Sequence, residues 1–577
     1  MAFQLSPGVN VSEIDLTTVV PSVSTTAGAF AGDFTWGPAG KVKLVTHETE
    51  LVSYFGEPSA NAQQGNTATS FFTAASFLAY GNNLQVVRAV SSNSKNAAAN
   101  TGNALGLASV ASGYQLKNED SYDNIVVGDI AVLNTASFVA RYPGDIGNSL
   151  KVSTCVANTV AFTGWSYNTL FSTAPSTSGY ASKVSGANDQ IHMVVIDEDG
   201  LLSGERGTVL ETFGFLSLAA DATYDDGSPA YISNVIRQKS KYLYIGGNTA
   251  SFSTNTGRVA ANTNFLSSNT QVQNYSLSGG VYETASDSDV ISAISLFSNA
   301  DEIDVSLVIS GGVTTTVQQS IIDLAISRKD CVAFVSPPKA SVVNNAGSET
   351  TSITSWFTSL SRTTSYAVAD SGWKYMFDKY TNTYRWIPLN GDIAGLCVRT
   401  DETRDPWFSP AGYSRGGIKN VVKLAWNPNK TQRDYLYQSA VNPVISVPGQ
   451  GTLLFGDKTL TLQPSAFNRI NVRRLFIVLE KAIANASKYS LFELNDEFTR
   501  AQFVGLIEPF LRDVKGRRGI YDYRVVCDET NNTAQVIDNN QFVGDIYIKP
   551  ARSINFIQLN FVAVRTGVNF SEIVGGV

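Results

Sequence analysis

The chain has 577 residues, 43% hydrophobic and 16% charged, with a net charge of −7. That length exceeds what one hydrophobic core fills, so several domains are expected. So low a charge excludes the dense basic stripe of a nucleic-acid binder and leaves a polar, weakly charged surface suited to packing on other protein. The charge is uneven: residues 401–577 hold 21 Lys+Arg against 17 Asp+Glu, and residues 1–400 hold 21 against 32. Cys155, Cys331, Cys397 and Cys527 lie far apart, which predicts free, buried thiols rather than a disulfide framework. No Lys or Arg precedes Lys41 and no run of 18 apolar residues occurs, so neither a signal peptide nor membrane insertion is expected.

In chain order, residues 8–14 read GVNVSEI, and residues 567–573 nearly repeat them as GVNFSEI. Alternation at Val9/Val11 and at Val568/Phe570 reads as a short strand at each terminus. A lone strand of this length is unstable and needs a sheet edge to pair with. Residues 27–57 read as strands and turns, with a Trp36-Gly37-Pro38 turn. Residues 69–81 read as a helix with Phe72, Ala75, Phe77 and Leu78 on its apolar side, and residues 83–90 as a buried strand. Residues 92–285 turn rich in Ser, Thr, Asn and Gly, with alternating runs. They predict one or two all-β inserted domains, including a hairpin through Asp199-Gly200. From 286 onward helix and strand alternate, which implies a parallel α/β sheet continuing the one begun before residue 90. Loops are expected to 468. An amphipathic helix over 471–489 then carries Leu475, Phe476, Leu479, Ile483 and Ala486 on one face. A second helix over 495–516 is capped by Asn495 or Asp496, and long strands follow at 521–529 and 544–564.

Three patterns resemble chemistry. Gly412-x-Ser414-x-Gly416 matches a nucleophile elbow, the remote alternative being a serine hydrolase using Ser414. That chemistry needs a histidine after the serine, and the only two, His47 and His192, precede it. GTLLFGDKT (451–459) resembles a phosphate-binding loop, but Asp457 stands where phosphate would lie. DEDG (197–200) lacks most ligands of a calcium loop and reads as a turn. No catalytic, cofactor or metal residue is assigned, and the chain is expected not to be an enzyme. The basic run Lys515, Arg517, Arg518 reads first as a solvated turn after a helix C-terminus, with contact to an acidic protein partner as the alternative.

Residues 521–564 carry CDETNNT, DIYIKPARSINFI and LNFVA, and resemble the C-terminal region of contractile tail sheath proteins of T4-like and cyanophage-like myophages. TWGP (35–38), YPGDIGNSLKV (142–152), PWFSPAGYSRG (406–416), VNPVISVPGQGTLLFGDKT (441–459) and FELNDEFT (492–499) match further family motifs in order. The resemblance spans nearly the whole chain and is weakest over 160–285. It implies an α+β multidomain chain. An N-terminal arm (1–20) precedes a discontinuous, non-catalytic, subtilisin-like α/β core (21–91 and 286–460). The inserted β-rich outer region (92–285), a C-terminal sheath-forming domain (461–564) and a C-terminal arm (565–577) complete it. It also implies a structural subunit in the virion tail, assembled in the host cytoplasm. Such subunits stack as hexameric rings around the tail tube and contract to drive the tube through the host envelope. The implied partners are other copies, the tube protein, and baseplate and tail terminator proteins, with no direct nucleic acid. Val9, Val11, Ile14, Val568, Phe570 and Ile573 become arm strands added to neighbouring subunits, and Lys515, Arg517 and Arg518 become tube contacts. The sheath of a phage-derived bacteriocin or other contractile injection system is the alternative within the same class.

Overall fold

The computed structural model describes residues 25–59, 65–100, 103–104, 115–128, 136–266, 272–555 and 557–558. Both terminal heptads, with Val9, Val11, Ile14, Val568, Phe570 and Ile573, lie outside the described residues. The chain divides into two compact units, Met1–Leu494 and Asn495–Val577.

The larger unit is built on a seven-stranded sheet. Its order is Val441–Asn442, Ala367–Asp370, Val332–Val335, Leu307–Ile309, Gly28–Asp33, Leu84–Ala89, Lys43–Val45. All neighbours run parallel except the last, Lys43–Val45, which is antiparallel to Leu84–Ala89. Gly28–Asp33 sits between Leu84–Ala89 and Leu307–Ile309, so one sheet draws on both sides of the insert. Both faces are apolar because helices cover both, as a parallel sheet requires. Phe30 and Phe334 point to one face with Phe72, Phe77 and Ile393. Ala29, Ala31, Ala333 and Val335 point to the other with Ile294, Ile321 and Trp356. The helix Gly65–Leu78 is buried on every side from Phe71 to Phe77, more than a one-sided apolar stripe predicts. The helix Asn390–Thr403 lies against it at close range: a Cβ at Gly391 would meet the Thr73 carbonyl oxygen at 2.5 Å, and one at Gly395 the Tyr80 ring at 2.4 Å.

Several expectations need correction. Residues 27–57 include a helix, Glu48–Phe55, which buries Leu51 and Phe55. The region expected as loops before 468 contains the helix Lys430–Gln438 and a hairpin of Val444–Val447 with Gly451–Leu454. The insert is not all-β. Its two four-stranded sheets are joined by helices, among them Ile232–Lys239, which buries Ile232, Val235 and Ile236 at helical spacing. Both sheets feed one core containing Phe138, Leu243, Val152, Met193 and Tyr275. The hairpin expected at Asp199-Gly200 is real, but its strands end at Asp197 and restart at Thr208. The buried Asp197 carboxylate holds the long turn by accepting the backbone N–H groups of Gly200, Leu201, Leu202 and Ser203. The helix Ile470–Ser487 packs within the larger unit. Its Arg474 forms a buried ion pair with Asp401, and Ile470 and Ile477 enter the sheet's core. Leu475, Leu479 and Ala486 are buried as expected, while Phe476 and Ile483 are half-buried. Among the described residues the last strand is Asp545–Pro550, and 551–555 carry no regular structure; the 559–564 end of the strand expected over 544–564 lies outside the described residues.

The motif YPGDIGN explains how the insert is attached. Lys95 and Val281 bridge, which brings the insert's entry and exit side by side. The Asn148 amide donates to the Gly280 carbonyl at 2.9 Å and accepts the Gly280 N–H at 2.8 Å. Arg88, 1% exposed, donates to the carbonyls of Phe34, Thr35 and Gly37 in the core and of Pro143 in the insert.

Candidate functional site

Within the smaller unit, the helix Glu497–Gly516 starts at Asp496, whose carboxylate accepts the Thr499 N–H at 2.8 Å. That bond holds the Asp496 carboxyl below its usual range. The helix buries Phe503, Ile507, Leu511 and Val514. It turns at Arg518, in the left-handed region with φ 67°, into the strand Ile520–Val526, which pairs antiparallel with Asp545–Pro550. Among the described residues no third strand joins this pair. Tyr521 and Tyr547 are exposed and most of both strands are at best half-buried. A two-stranded sheet is marginal alone and leaves a row of unpaired N–H and C=O groups on each outer edge.

CDETNNT is the fastening between those strands. Cys527 is buried, which pushes its thiol pKa up. Asp528 accepts the Thr530 N–H at 2.9 Å, and Asn531 donates to the Val526 carbonyl at 2.8 Å. Asn532, 2% exposed, donates to the Val543 carbonyl at 2.7 Å and accepts the Val543 N–H at 2.9 Å, which positions the chain entering Asp545–Pro550. Asn532→Ala leaves the half-buried Val543 N–H and carbonyl without that partner, and a loss of about 1–2 kcal/mol is expected. Denaturant unfolding of the full chain checks it; an unshifted transition would show that Asn532 does not hold the strands.

The basic turn is already partly neutralised. Lys515 Nζ lies 3.0 Å from Asp522 Oδ1, and Arg517 Nη1 lies 3.7 Å from Asp513 Oδ2. Arg518 is exposed.

The catalytic look-alikes are used structurally. Gly412 and Gly416 close a tight loop, with Gly416 N–H donating to the Gly412 carbonyl and Gly412 N–H to the Leu454 carbonyl. Ser414 is exposed on it. His47 precedes the helix Glu48–Phe55 with its ring bonded to Thr46 Oγ1, and His192 stacks on Phe171 while accepting the Phe215 N–H, so both rings are engaged away from Ser414. Asp457 is buried and accepts Ser409 Oγ at 3.0 Å. Lys458 donates to the Tyr437 carbonyl and sits over that ring, so neither side chain addresses a phosphate. At the carboxyl ends of the parallel strands, where α/β sheets usually take ligands, a cavity of about 100 Å³ lies beside Asp33 and residues 310–314, while the ends of Val332–Val335 and Ala367–Asp370 are closed by buried polar groups. Asp370 accepts Ser336 Oγ at 2.6 Å, and the Asn390 amide donates to Ser336 Oγ and to the Gly311 carbonyl. Ser336, Asp370 and Asn390 are all buried. The sequence predicts a strand over 330–338, but not that these polar strand ends would bond one another and the nearby backbone of Gly311 and Gly372. Among the described residues no helix is long and apolar enough to cross a membrane.

Residues 284–460 match the phage tail sheath protein central domain and residues 463–563 the phage tail sheath C-terminal domain. The tail sheath protein of Vibrio phage KVP40 is 34% identical, over 99% of this chain and 100% of its own length. That of Enterobacteria phage T4 is 34% identical, over 99% of each. In fold, the chain is similar to the sheath tail proteins of Listeria innocua and Desulfitobacterium hafniense. The TM-scores are 0.52 and 0.51 at 10% and 11% identity, covering 93% and 91% of this chain and 97% and 94% of theirs. The core built across an insert, the CDETNNT fastening and full-length identity at this level agree: the chain belongs to the tail sheath proteins of contractile phage tails.

Proposed function

We propose that the subunit polymerises as stacked hexameric rings around the tail tube and contracts to drive the tube through the host envelope, without enzymatic activity. The observation that carries this reading is the two-stranded sheet Ile520–Val526/Asp545–Pro550, whose outer edges no third strand joins among the described residues. The heptads at 8–14 and 567–573 supply alternating strands of matching pattern, and arms from neighbouring subunits add to those edges. Main-chain hydrogen bonds then give affinity, at about 0.5–1.5 kcal/mol net each. The links stay intact while subunits reorient, so contraction needs only two packings of one lattice that differ in free energy. Baseplate and terminator proteins bound the lattice at its ends, in a virion tail assembled in the host cytoplasm. The core's subtilisin-like topology serves as scaffold, with the insert 92–285 on the outer surface.

Removing residues 1–16 or 566–577 is expected to leave a folded subunit with near-native helix content that forms no sheath or sheath-like polymer. Sedimentation and negative-stain microscopy beside the intact chain decide it: polymerisation as ready as the parent's would remove that arm from the lattice.

Lys515, Arg517 and Arg518 face the tube in this reading. Reversing all three to Glu is expected to weaken co-assembly with the tube protein most at low salt, since rim charges act mainly on encounter. Because Asp513 and Asp522 already pair two of them, the effect is modest, about tenfold or less in assembly rate. Unchanged co-assembly at low salt would take this turn out of the contact.

A further inference from the structure

The winding of the seven-stranded sheet reverses between Gly28–Asp33 and Leu307–Ile309. The first strand leads through the helix Gly65–Leu78 on one face to Leu84–Ala89, and the second through the helix Thr315–Arg328 on the other face to Val332–Val335. Open α/β sheets take ligands in the crevice at such a reversal, outside the carboxyl ends of the strands. Here that crevice holds the cavity of about 100 Å³, lined by Asp33, residues 310–314, Asn66 and Asp287. Its size admits an ion with a few waters and excludes a nucleotide or a sugar.

Asp33 is the group left unfinished there. It is 6% exposed and lines the cavity. Its Oδ2 accepts the Tyr282 hydroxyl and the Ala285 N–H, while its Oδ1 accepts no hydrogen bond from the described residues. A carboxylate offers about four acceptor sites, so a buried one left half-used calls for a partner. Arg88 is the nearby cation, but its guanidinium donates to the carbonyls of Phe34, Thr35, Gly37 and Pro143 and not to Asp33. Burial raises the Asp33 carboxyl above its usual range, the mark of a carboxylate short of counter-charge. Asp287 is exposed, lines the same cavity and accepts the Thr314 hydroxyl at 2.7 Å. Asp289 adds negative potential at Asp33. The helices that begin at Asp287 and Thr315 are capped by the Ser286 and Thr314 side chains, so their N-termini do not call for an anion.

Among the described residues no three His, Cys, Asp or Glu side chains stand together as a closed metal cage. Magnesium suits two carboxylates with room for water, because it keeps several waters and is usually held through one or two carboxylates. We infer that the crevice binds one hydrated magnesium ion between Asp33 Oδ1 and Asp287. Tyr282 and Ala285 lie on the chain leaving the insert, so the ion fixes that chain to the end of the sheet. Binding to the folded form alone then stabilises the larger unit.

Isothermal titration of the full chain with magnesium chloride tests this, at a physiological salt concentration that screens diffuse attraction to surface acids. One saturable site per chain is expected. Asp33→Asn keeps an acceptor for Tyr282 and Ala285, and Asp287→Asn keeps one for Thr314; each should weaken the affinity at least ~tenfold. Asp301, exposed before the amino end of Leu307–Ile309, supplies the control: Asp301→Asn should bind as the parent does. Magnesium should also raise the thermal midpoint of the parent and of Asp301→Asn, but not that of Asp287→Asn. If Asp33→Asn does not fold, Asp287→Asn decides alone. Absence of saturable binding to the parent overturns the inference, as does undiminished binding to Asp287→Asn or an equal loss in Asp301→Asn. Saturable binding of calcium with none of magnesium would overturn the choice of ion.

Discussion

Replacing Arg88 by Met is expected to cost the larger unit about 3–5 kcal/mol, because a buried, hydrogen-bonded charge is removed and its acceptors stay buried. The guanidinium donates Nε to Phe34 O at 3.0 Å, Nη1 to Gly37 O at 2.9 Å and Nη2 to Pro143 O at 2.7 Å. Burial pushes its pKa down to about 10, still far enough above neutrality to keep the cation. Asp33 beside it is buried as well and accepts the Tyr282 hydroxyl, so the charge sits in a largely satisfied network. Arg88→Lys keeps the charge but loses the planar fork, and roughly half the loss is expected. Denaturant unfolding and limited proteolysis around 90–100 check both variants. A loss under about 1 kcal/mol for Arg88→Met would show that water replaces the guanidinium at those carbonyls. The same network bears on the insert. Its composition predicts that 92–285 is dispensable for polymerisation, yet Trp36 of the core is 3% exposed within the insert's own hydrophobic cluster and meets Tyr142 edge-on. Excision that keeps Trp36 would expose a large aromatic surface, so a fair test of dispensability also replaces Trp36 with a polar residue.

The second large effect is a gain. Asp370 is fully buried, and burial raises its carboxyl to about 8 despite hydrogen bonds from Ser336 Oγ and Gly372 N–H. The nearby Asp392, ion-paired with Lys374 at 2.8 Å, pushes in the same direction. The folded chain therefore keeps this proton across a range in which the unfolded chain, at the ordinary value of 3.8, has lost it. The folded state binds more protons there, so stability falls as pH rises, by up to ~1.4 kcal/mol per pH unit between about pH 4 and pH 8. The stability linked to this group is fully present below about pH 4 and is lost as pH rises through the folded value. Asp370→Asn removes the titrating group while its one amide oxygen keeps only one of the two hydrogen bonds that the carboxyl accepts, from Ser336 Oγ or from Gly372 N–H. It should lie below the parent by that one bond near pH 4 and exceed it by several kcal/mol at pH 8. Thermal unfolding of both proteins from pH 4 to pH 8 reads this directly; parallel curves would show that Asp370 ionises in the folded state without penalty.

What the sequence determined by itself was local. The Ser286 and Asp496 caps, the buried runs at 307–309 and 332–335, and the apolar spacing at 470–487 each carry their signal within a few residues, because caps and periodicity act over one or two turns. The helix Lys430–Gln438 shows the limit. Its capping box at Asn429 and Gln432 is written in the chain, but only Leu436 is buried, so no apolar stripe announces it. The helix Ile232–Lys239 does carry such a stripe, and the polar composition around it masked the signal. The candidate surfaces divide in the same way. CDETNNT and the terminal heptads stand out as words in the sequence, whereas the crevice beside Asp33 draws on residues 30–33, 66–70, 285–290 and 310–314, which only the fold brings together. Sheet order likewise waited for tertiary structure. Gly28–Asp33 pairs with Leu307–Ile309 across the whole insert, and the burial of Arg88 depends on carbonyls at 34–37 and 143 converging on one guanidinium. Periodicity says which face of an element is apolar; which surface covers that face is decided by contacts between residues far apart in the chain, where packing and hydrogen bonding override local preference.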